Sequence, residues 1–372
     1  MQGSSLGGRR RRLTGLAPPA YRSGDRWTKG DPAAMAHRRE PICLPQMPRR
    51  AFLAITAGGL LAAPLAAEAQ PAGKVWRIGW LSPASAATAA SELDALRAGL
   101  RELNYVEGRN IAIEARWADD KSARLRELAR ELVELNVEVI CTSGTPATLA
   151  AKQATTKIPI VFGRAAFPEQ TGLVATLARP AGNLTGVTFI GPEYGKRLEL
   201  LREVAPRVER VALLYNDENR ASVLAMEPTQ QWANSLHVVL EPLGVHDEPS
   251  LETALGVVRR RPPDALMTTA DPILSSYRAG IVEFAAAQRL ISMYGDRIYV
   301  KAGGLMFYGT STTDMWHLAA SYVDRIIRGA KPADLPVGQP TLFELVINLK
   351  TAKTLGLTIP PSLLERADQV IE

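Results

Sequence analysis

The chain has 372 residues, 46% of them hydrophobic and 22% charged, and its 44 Lys/Arg against 38 Asp/Glu give a net charge of +6. That excess belongs to the N-terminal end: without the 11 basic and 4 acidic residues of positions 1–69, 33 basic residues face 34 acidic ones, a net of −1. A near-neutral chain has no basic field to lay along a phosphate backbone, which argues against a nucleic-acid partner, and two cysteines, Cys43 and Cys141, make no disulfide framework.

Residues 1–46 are rich in Arg, Gly, Pro and Ser without apolar periodicity and read as a disordered or misassigned extension. Met47–Gln70 follows, with Arg49-Arg50, an apolar run of 17 residues from Ala51 to Ala67, and Ala67-Glu68-Ala69 as a small-x-small cleavage site. A charged start, a short apolar stretch and that site make an export signal over 47–69, cleaved near Ala69/Gln70. Arg49-Arg50-Ala51-Phe52-Leu53 fits the twin-arginine pattern. The other readings are a buried helix or a membrane anchor, but the run is at the lower limit for a bilayer and holds Gly58-Gly59 and Pro64. Cys43 leaves with the leader, and Cys141 lies in an apolar run as a small buried hydrophobe. No later apolar stretch reaches membrane-spanning length.

From Val75 on, strands alternate with amphipathic helices: Val75–Leu81 is a strand, Ser91 caps a helix with Leu93, Leu96, Leu100 and Leu103 on one face, and Ile111–Trp117 is a strand. A helix carrying Leu125, Leu128, Leu132 and Leu135, the strand Val137–Cys141, the helix Thr145–Thr155 and the strand Ile158–Phe162 complete the first series. Such alternation demands parallel sheets with right-handed crossovers. The rhythm restarts after Gly182–Gly186, with helices Lys196–Val204, Ala221–Leu236, Leu251–Arg260 and Leu274–Arg289. Between them run strands Val208–Tyr215, His237–Leu243, Asp264–Thr269 and Ile291–Tyr294. A strand-like Gly304–Tyr308, a helix Met315–Arg328, a Pro-rich Lys331–Pro340, a strand Phe343–Asn348 and a short helix Ala352–Leu355 close the chain. The chain is therefore α/β, with two doubly wound units.

Catalytic and cofactor motifs are missing. The loop after the first strand, Ser82–Ala86, has no Gly for a dinucleotide fingerprint, and Gly191–Arg197 is one residue short of a P-loop and lacks its Ser/Thr. His237, His246 and His317 have no metal-ligand spacing, and no G-x-S-x-G elbow occurs. No catalytic residue, metal site or cofactor is expected.

Ligands of open α/β sheets bind beyond the carboxyl ends of the strands. Those ends carry Ser82 and Ser85, then Ser143-Gly144-Thr145-Pro146, then Arg164 and Phe167. In the second unit they carry Asn216–Asn219, Asp271-Pro272 and Tyr294-Gly295-Asp296. Ser143-Gly144-Thr145 fits either an anion site on a helix N-terminus or plain capping. Asp271 and Asp296 suit a ligand ammonium or a local cap. Asn216 and Tyr294 are contacts of the kind small-ligand clefts use. Phe167 and Tyr194 either line the cleft or pack in the core, and Arg164 either clamps a carboxylate or is ion-paired.

Gly99–Leu103 with Val106–Asn110, Ser143–Pro146, Leu177–Gly186 and Pro340–Ala352 together resemble the ABC-transporter substrate-binding proteins of the type-I periplasmic-binding fold, in the tryptophan/tyrosine-type and uncharacterised-substrate branch. The resemblance covers nearly all of residues 47–372. It implies a monomeric periplasmic receptor that closes two lobes over a small molecule and delivers it to an inner-membrane ABC permease with its ATPase. It also implies three crossings, near Phe189, Ala302 and Pro332, with lobes of 70–189 plus 303–332 and 190–302 plus 333–372. Relatives carry Asp-Pro where this chain has Phe167-Pro168, which removes an acid from the cleft wall and bears on whether an ammonium is bound. An exported sensor domain, or an enzyme on the same architecture, are the competing readings.

Overall fold

The computed structural model describes residues 74–189 and 193–372; the expected export signal, its cleavage site and the extension before it lie outside the described residues. In the first lobe β1 (Trp76–Ser82), α1 (Ala86–Glu102), β2 (Ile111–Trp117), α2 (Leu125–Glu134), β3 (Val139–Thr142), α3 (Gly144–Ala154), β4 (Ile160–Ala165) and β5 (Leu184–Thr188) build a five-stranded sheet of order β2-β1-β3-β4-β5. All its pairs are parallel. Helices cover both faces, so its central strands are continuous buried runs rather than alternating ones. Ser85, not Ser91, caps α1, accepting from the Thr88 amide, because the helix begins directly after the turn at Pro83. The strand β5 lies within what composition reads as a break: Leu184 and Thr185 pair with Ile160 and Val161.

The second lobe follows with α4 (Glu193–Val204), β6 (Arg210–Tyr215), α5 (Arg220–Leu224), α6 (Met226–Ser235), β7 (Val239–Gly244), α7 (Glu248–Arg260) and β8 (Ala265–Thr268). It continues with α8 (Pro272–Ser276), α9 (Arg278–Ala287), β9 (Ile291–Tyr294), α10 (Ile298–Lys301) and β10 (Met306–Thr310). Two helices expected to be continuous are each divided, at Ala225 and at Tyr277. The chain then crosses to lobe one for α11 (Thr312–Ile327) and returns for β11 (Phe343–Asn348), α12 (Leu349–Leu355), α13 (Pro361–Leu364) and β12 (Gln369–Ile371). The second sheet has seven strands, β12-β11-β10-β9-β8-β6-β7, parallel except where β11 runs against β10.

Two crossings differ from the expected boundaries. Gly304–Tyr308 does not return to lobe one: Met306 and Phe307 pair with Met293 and Tyr294, so β10 stays in the second sheet. The short connection through α10 leaves β10 beside β9 as an ordinary parallel crossover, and the chain crosses at Thr310–Ser311 rather than near Ala302. The third crossing comes after Gly338 rather than near Pro332. Val337 donates to Leu177 O at 2.7 Å and Gly338 to Gly186 O at 2.8 Å, which keeps that segment on lobe one. The first follows β5 at Phe189.

What brings α11 home is its apolar face. Trp316 is fully buried, its ring 4.6 Å from that of Trp80, and it rests on Gly163 of β4, where a β-carbon would stand 2.2 Å from the indole. Gly99 of α1 makes room for the same helix: a β-carbon there would come within 2.9 Å of Ala320 and His317. In lobe two Leu201, Val211 and Met293 fill one face of the sheet, and Leu214, Leu255 and Ile281 the other. Cys141 is buried in lobe one, and burial pushes its thiol up to about 12.

Candidate functional site

The strand ends of the two lobes meet across a cleft. A β-carbon on Gly144, which sits at φ +78° between β3 and α3, would lie 3.2 Å from Pro272, the first residue of α8 in the other lobe. Arg164, in β4, donates through Nη2 to Asp296 Oδ2 at 2.9 Å, and Ser276 Oγ donates to Asp120 Oδ1 at 2.6 Å. Ala166 and Phe189 of lobe one share an apolar cluster with Ala221 and Ala270 of lobe two.

Two spaces open along this seam, both bordered by Arg164 and Pro272. The larger encloses about 100 Å³ between the α1 face at Thr88, Ser91 and Glu92 and lobe-two residues Ser275, Asp296 and Lys301, with Ser311 of the second crossing at its side. The smaller, about 10 Å³, is framed by Gly144, Thr145, Phe189, Tyr194 and Asn219; it has room for no more than one water.

The charged centre is Arg164. Its Nη1 donates to Glu92 Oε1, its Nη2 reaches Asp296, and Glu92 Oε2 accepts the Ser143 hydroxyl at 2.5 Å. Burial works against the guanidinium charge, but the facing Asp296 and Glu92 carboxylates outweigh it and hold the pKa above its ordinary value. Arg164 is thus ion-paired rather than a free clamp for a ligand carboxylate.

The strand-end residues fall into three groups. Gly144, Thr145 and Tyr194 border the smaller space. Thr145 Oγ1 accepts from the Ala166 amide at 3.1 Å and so ties the α3 turn to the end of β4. The Ser143 side chain makes no cap bond, being turned to Glu92, so it leaves the first amides of α3 untouched. Tyr194 is buried on α4 with Arg197 5.2 Å from its ring centre, and burial pushes its phenol up to about 12.

Ser82, Ser85, Asn216 and Asp271 form the second group and are used internally. Ser82 Oγ accepts from Ala84 and Ser85 caps α1. The Asp271 carboxylate takes four donors: the Ile273 and Leu274 amides, Asn216 Nδ2 at 3.2 Å and Asn219 Nδ2 at 2.7 Å. Those bonds cap α8 and brace the loop after β6, so the capping reading of Asp271 describes its contacts: Oδ1 takes three of the donors and Oδ2 takes Asn219. Burial nonetheless raises the Asp271 pKa against the pull of its hydrogen bonds.

Tyr294 and Phe167 make the third group. Tyr294 lies in the lobe-two core rather than on the cleft wall, its ring stacked at 4.6 Å on Tyr299. A four-residue strand end predicts position along the sheet but not which face its last side chain takes. Phe167 packs at the edge of the lobe-one core with φ +50°, a left-handed backbone that costs a non-Gly residue energy. Glu92, Ser91, Ser275 and Lys301 border the larger space without having been singled out; they lie on helices, and the strand-end rule does not look there. Among the described residues no group of His, Cys, Asp and Glu is arranged to hold a metal, and no helix is long and apolar enough to cross a membrane.

Two α/β lobes with three crossings and a polar cleft between their strand ends define the type-I periplasmic-binding class. The model of the ABC transporter substrate binding protein family matches residues 81–371, and the chain belongs to that family. It is 24% identical over 262 residues to the tyrosine-binding protein of Clostridioides difficile (strain R20291), covering 69% of this chain and 74% of that one. Among solved structures, a conserved domain protein of Vibrio cholerae is similar at 26% identity with a TM-score of 0.76, covering 80% of this chain and all of that one. A domain from Streptococcus pneumonia in complex with L-Trp is similar at 25% identity with a TM-score of 0.76 and the same coverage.

Proposed function

We propose that this chain is the exported receptor of an importer, closing its lobes over an amino-acid-like aromatic or polar solute and presenting it to an inner-membrane permease with its ATPase. The observation that carries this is the cleft itself, whose walls come from both lobes and meet at Arg164–Asp296. The bound state is the closed state, so affinity and closure are one equilibrium. The α3 N-terminus at Gly144-Thr145 suits a solute carboxylate, since the Ser143 side chain leaves its amides free of a cap. The similarity to tyrosine- and L-Trp-binding proteins supports an aromatic amino acid as the first solute to test. The chain works as a monomer outside the cytoplasm, reached through the Arg49-Arg50 signal, and makes or breaks no bond.

Native mass spectrometry of the protein purified without denaturation is expected to show a retained small molecule. A solute at a hundred times its Kd adds about 2.7 kcal/mol of stability, so L-Trp or L-Tyr in that excess raises the thermal midpoint by several degrees. No stabilisation by any small solute, together with measured turnover, would overturn the receptor reading. Replacing Arg49-Arg50 by Lys-Lys is expected to leave unprocessed precursor in the cytoplasm, read by immunoblot of cell fractions.

A further inference from the structure

Among the ion pairs of the described residues, Arg164–Asp296 alone joins the two lobes; the others, such as Arg116–Glu131, Arg210–Glu241 and Arg297–Glu344, stay within one. It is also dry. The side chains of Arg164, Glu92 and Asp296 are 13%, 11% and 6% exposed. We propose that this pair is a latch, a direct charged bond that draws the lobes shut without help from a ligand, with Glu92 and Ser143 as its mount.

The mount is complete inside lobe one. Glu92 holds one amino group of Arg164 and is itself fixed by the Ser143 hydroxyl, so the guanidinium keeps its aim when the lobes part. Its second amino group is left for the other lobe. Asp296 is equally preset: its Oδ1 accepts the Ile298 amide at 3.1 Å, which leaves Oδ2 for Arg164. Closure then joins two ready half-sites and orders few side chains, which keeps its entropic cost low. The planar guanidinium fork donates to its two carboxylates in one relative orientation, so the latch selects one closing angle. Being largely buried, it is screened by salt less than a surface pair. The Ser276–Asp120 hydrogen bond secures the seam at a second point, between α8 and the loop after β2.

This rests on the two-lobed closure and not on the identity of the solute. Spin labels at Glu127→Cys in lobe one and Glu252→Cys in lobe two, both exposed positions, report the lobe separation in a Cys43→Ser background, where the buried Cys141 thiol stays unlabelled. Without added solute, Asp296→Asn is expected to raise the open-to-closed ratio about tenfold, equivalent to ~1.4 kcal/mol. Glu92→Gln, which loosens the mount but leaves the cross-cleft bond, is expected to raise that ratio by clearly less than Asp296→Asn, whereas the remote control Glu241→Gln keeps the wild-type distances. A folded Asp296→Asn protein with the wild-type distance distribution overturns the latch, and so does opening in Glu92→Gln equal to that in Asp296→Asn. Should Asp296→Asn fail to fold, Arg164→Lys decides: a lysine keeps the charge but cannot span both carboxylates, so the lobes must open, and unchanged distances overturn the proposal. Because no solute enters the measurement, a latch that fails leaves the receptor reading standing, and solute binding that fails leaves the latch standing.

Discussion

At Gly163 a single added β-carbon would stand 2.2 Å from Trp316, with the indole wedged between β4 and the buried Trp80. Neither the ring nor the strand has room to move, so Gly163→Ala is expected to cost about 3 kcal/mol, measured as a lower urea midpoint at unchanged slope. A gentler residue-scale effect sits at the surface, where His246 Nδ1 lies 2.8 Å from Asp217 Oδ1. That hydrogen bond, with a smaller opposing desolvation and the pull of nearby carboxylates, raises the His246 pKa. A raised imidazole adds stability that is fully present below its ordinary value and lost as pH rises through the raised one. The wild-type thermal midpoint should therefore fall slightly between about pH 6 and pH 8 by an increment that His246→Gln lacks. Residue type singled out Gly144, Thr145 and Tyr194, which border the smaller space. It could not separate the two roles open to Asp271, because a strand-ending Asp before Pro serves as ligand or cap equally well until its neighbours Asn216 and Asn219 are placed.

At the scale of elements, period and spacing located nearly every strand and helix, since leucines at helical intervals and unbroken apolar runs reflect local geometry. The misreadings were also local in cause. Ala225 and Tyr277 interrupt helices without a Pro or Gly to mark the break, and β5 hides behind Gly182 and Gly186. The seam between α1 and α11 was not legible at all, because it joins helices about two hundred residues apart in the chain. It depends on the bare face of Gly99, 2.9 Å from where Ala320 and His317 would meet a side chain. Gly99→Ala is expected to push the helices apart and destabilise by about 2 kcal/mol, seen in thermal unfolding followed by tryptophan fluorescence.

For the whole molecule, the consequence of these crossings is that lobe one is finished by a helix made after nearly all of lobe two. Without α11 lobe one would expose Trp80 and Val161 of its sheet and Leu96 of α1 to water. A chain ending at Ala302 is expected to show no cooperative unfolding transition, whereas the intact chain melts as a unit. Composition, charge placement and alternation were enough by themselves to establish two α/β units with polar strand ends, near-neutral beyond residue 69, because those properties are carried by residues close together in sequence. The tertiary structure alone decided which sheet receives β10, where the chain crosses, and that Arg164 faces carboxylates 72 and 132 residues away. Such partners meet only when sheets pair and lobes close, and no local period records which distant strand end a side chain will face.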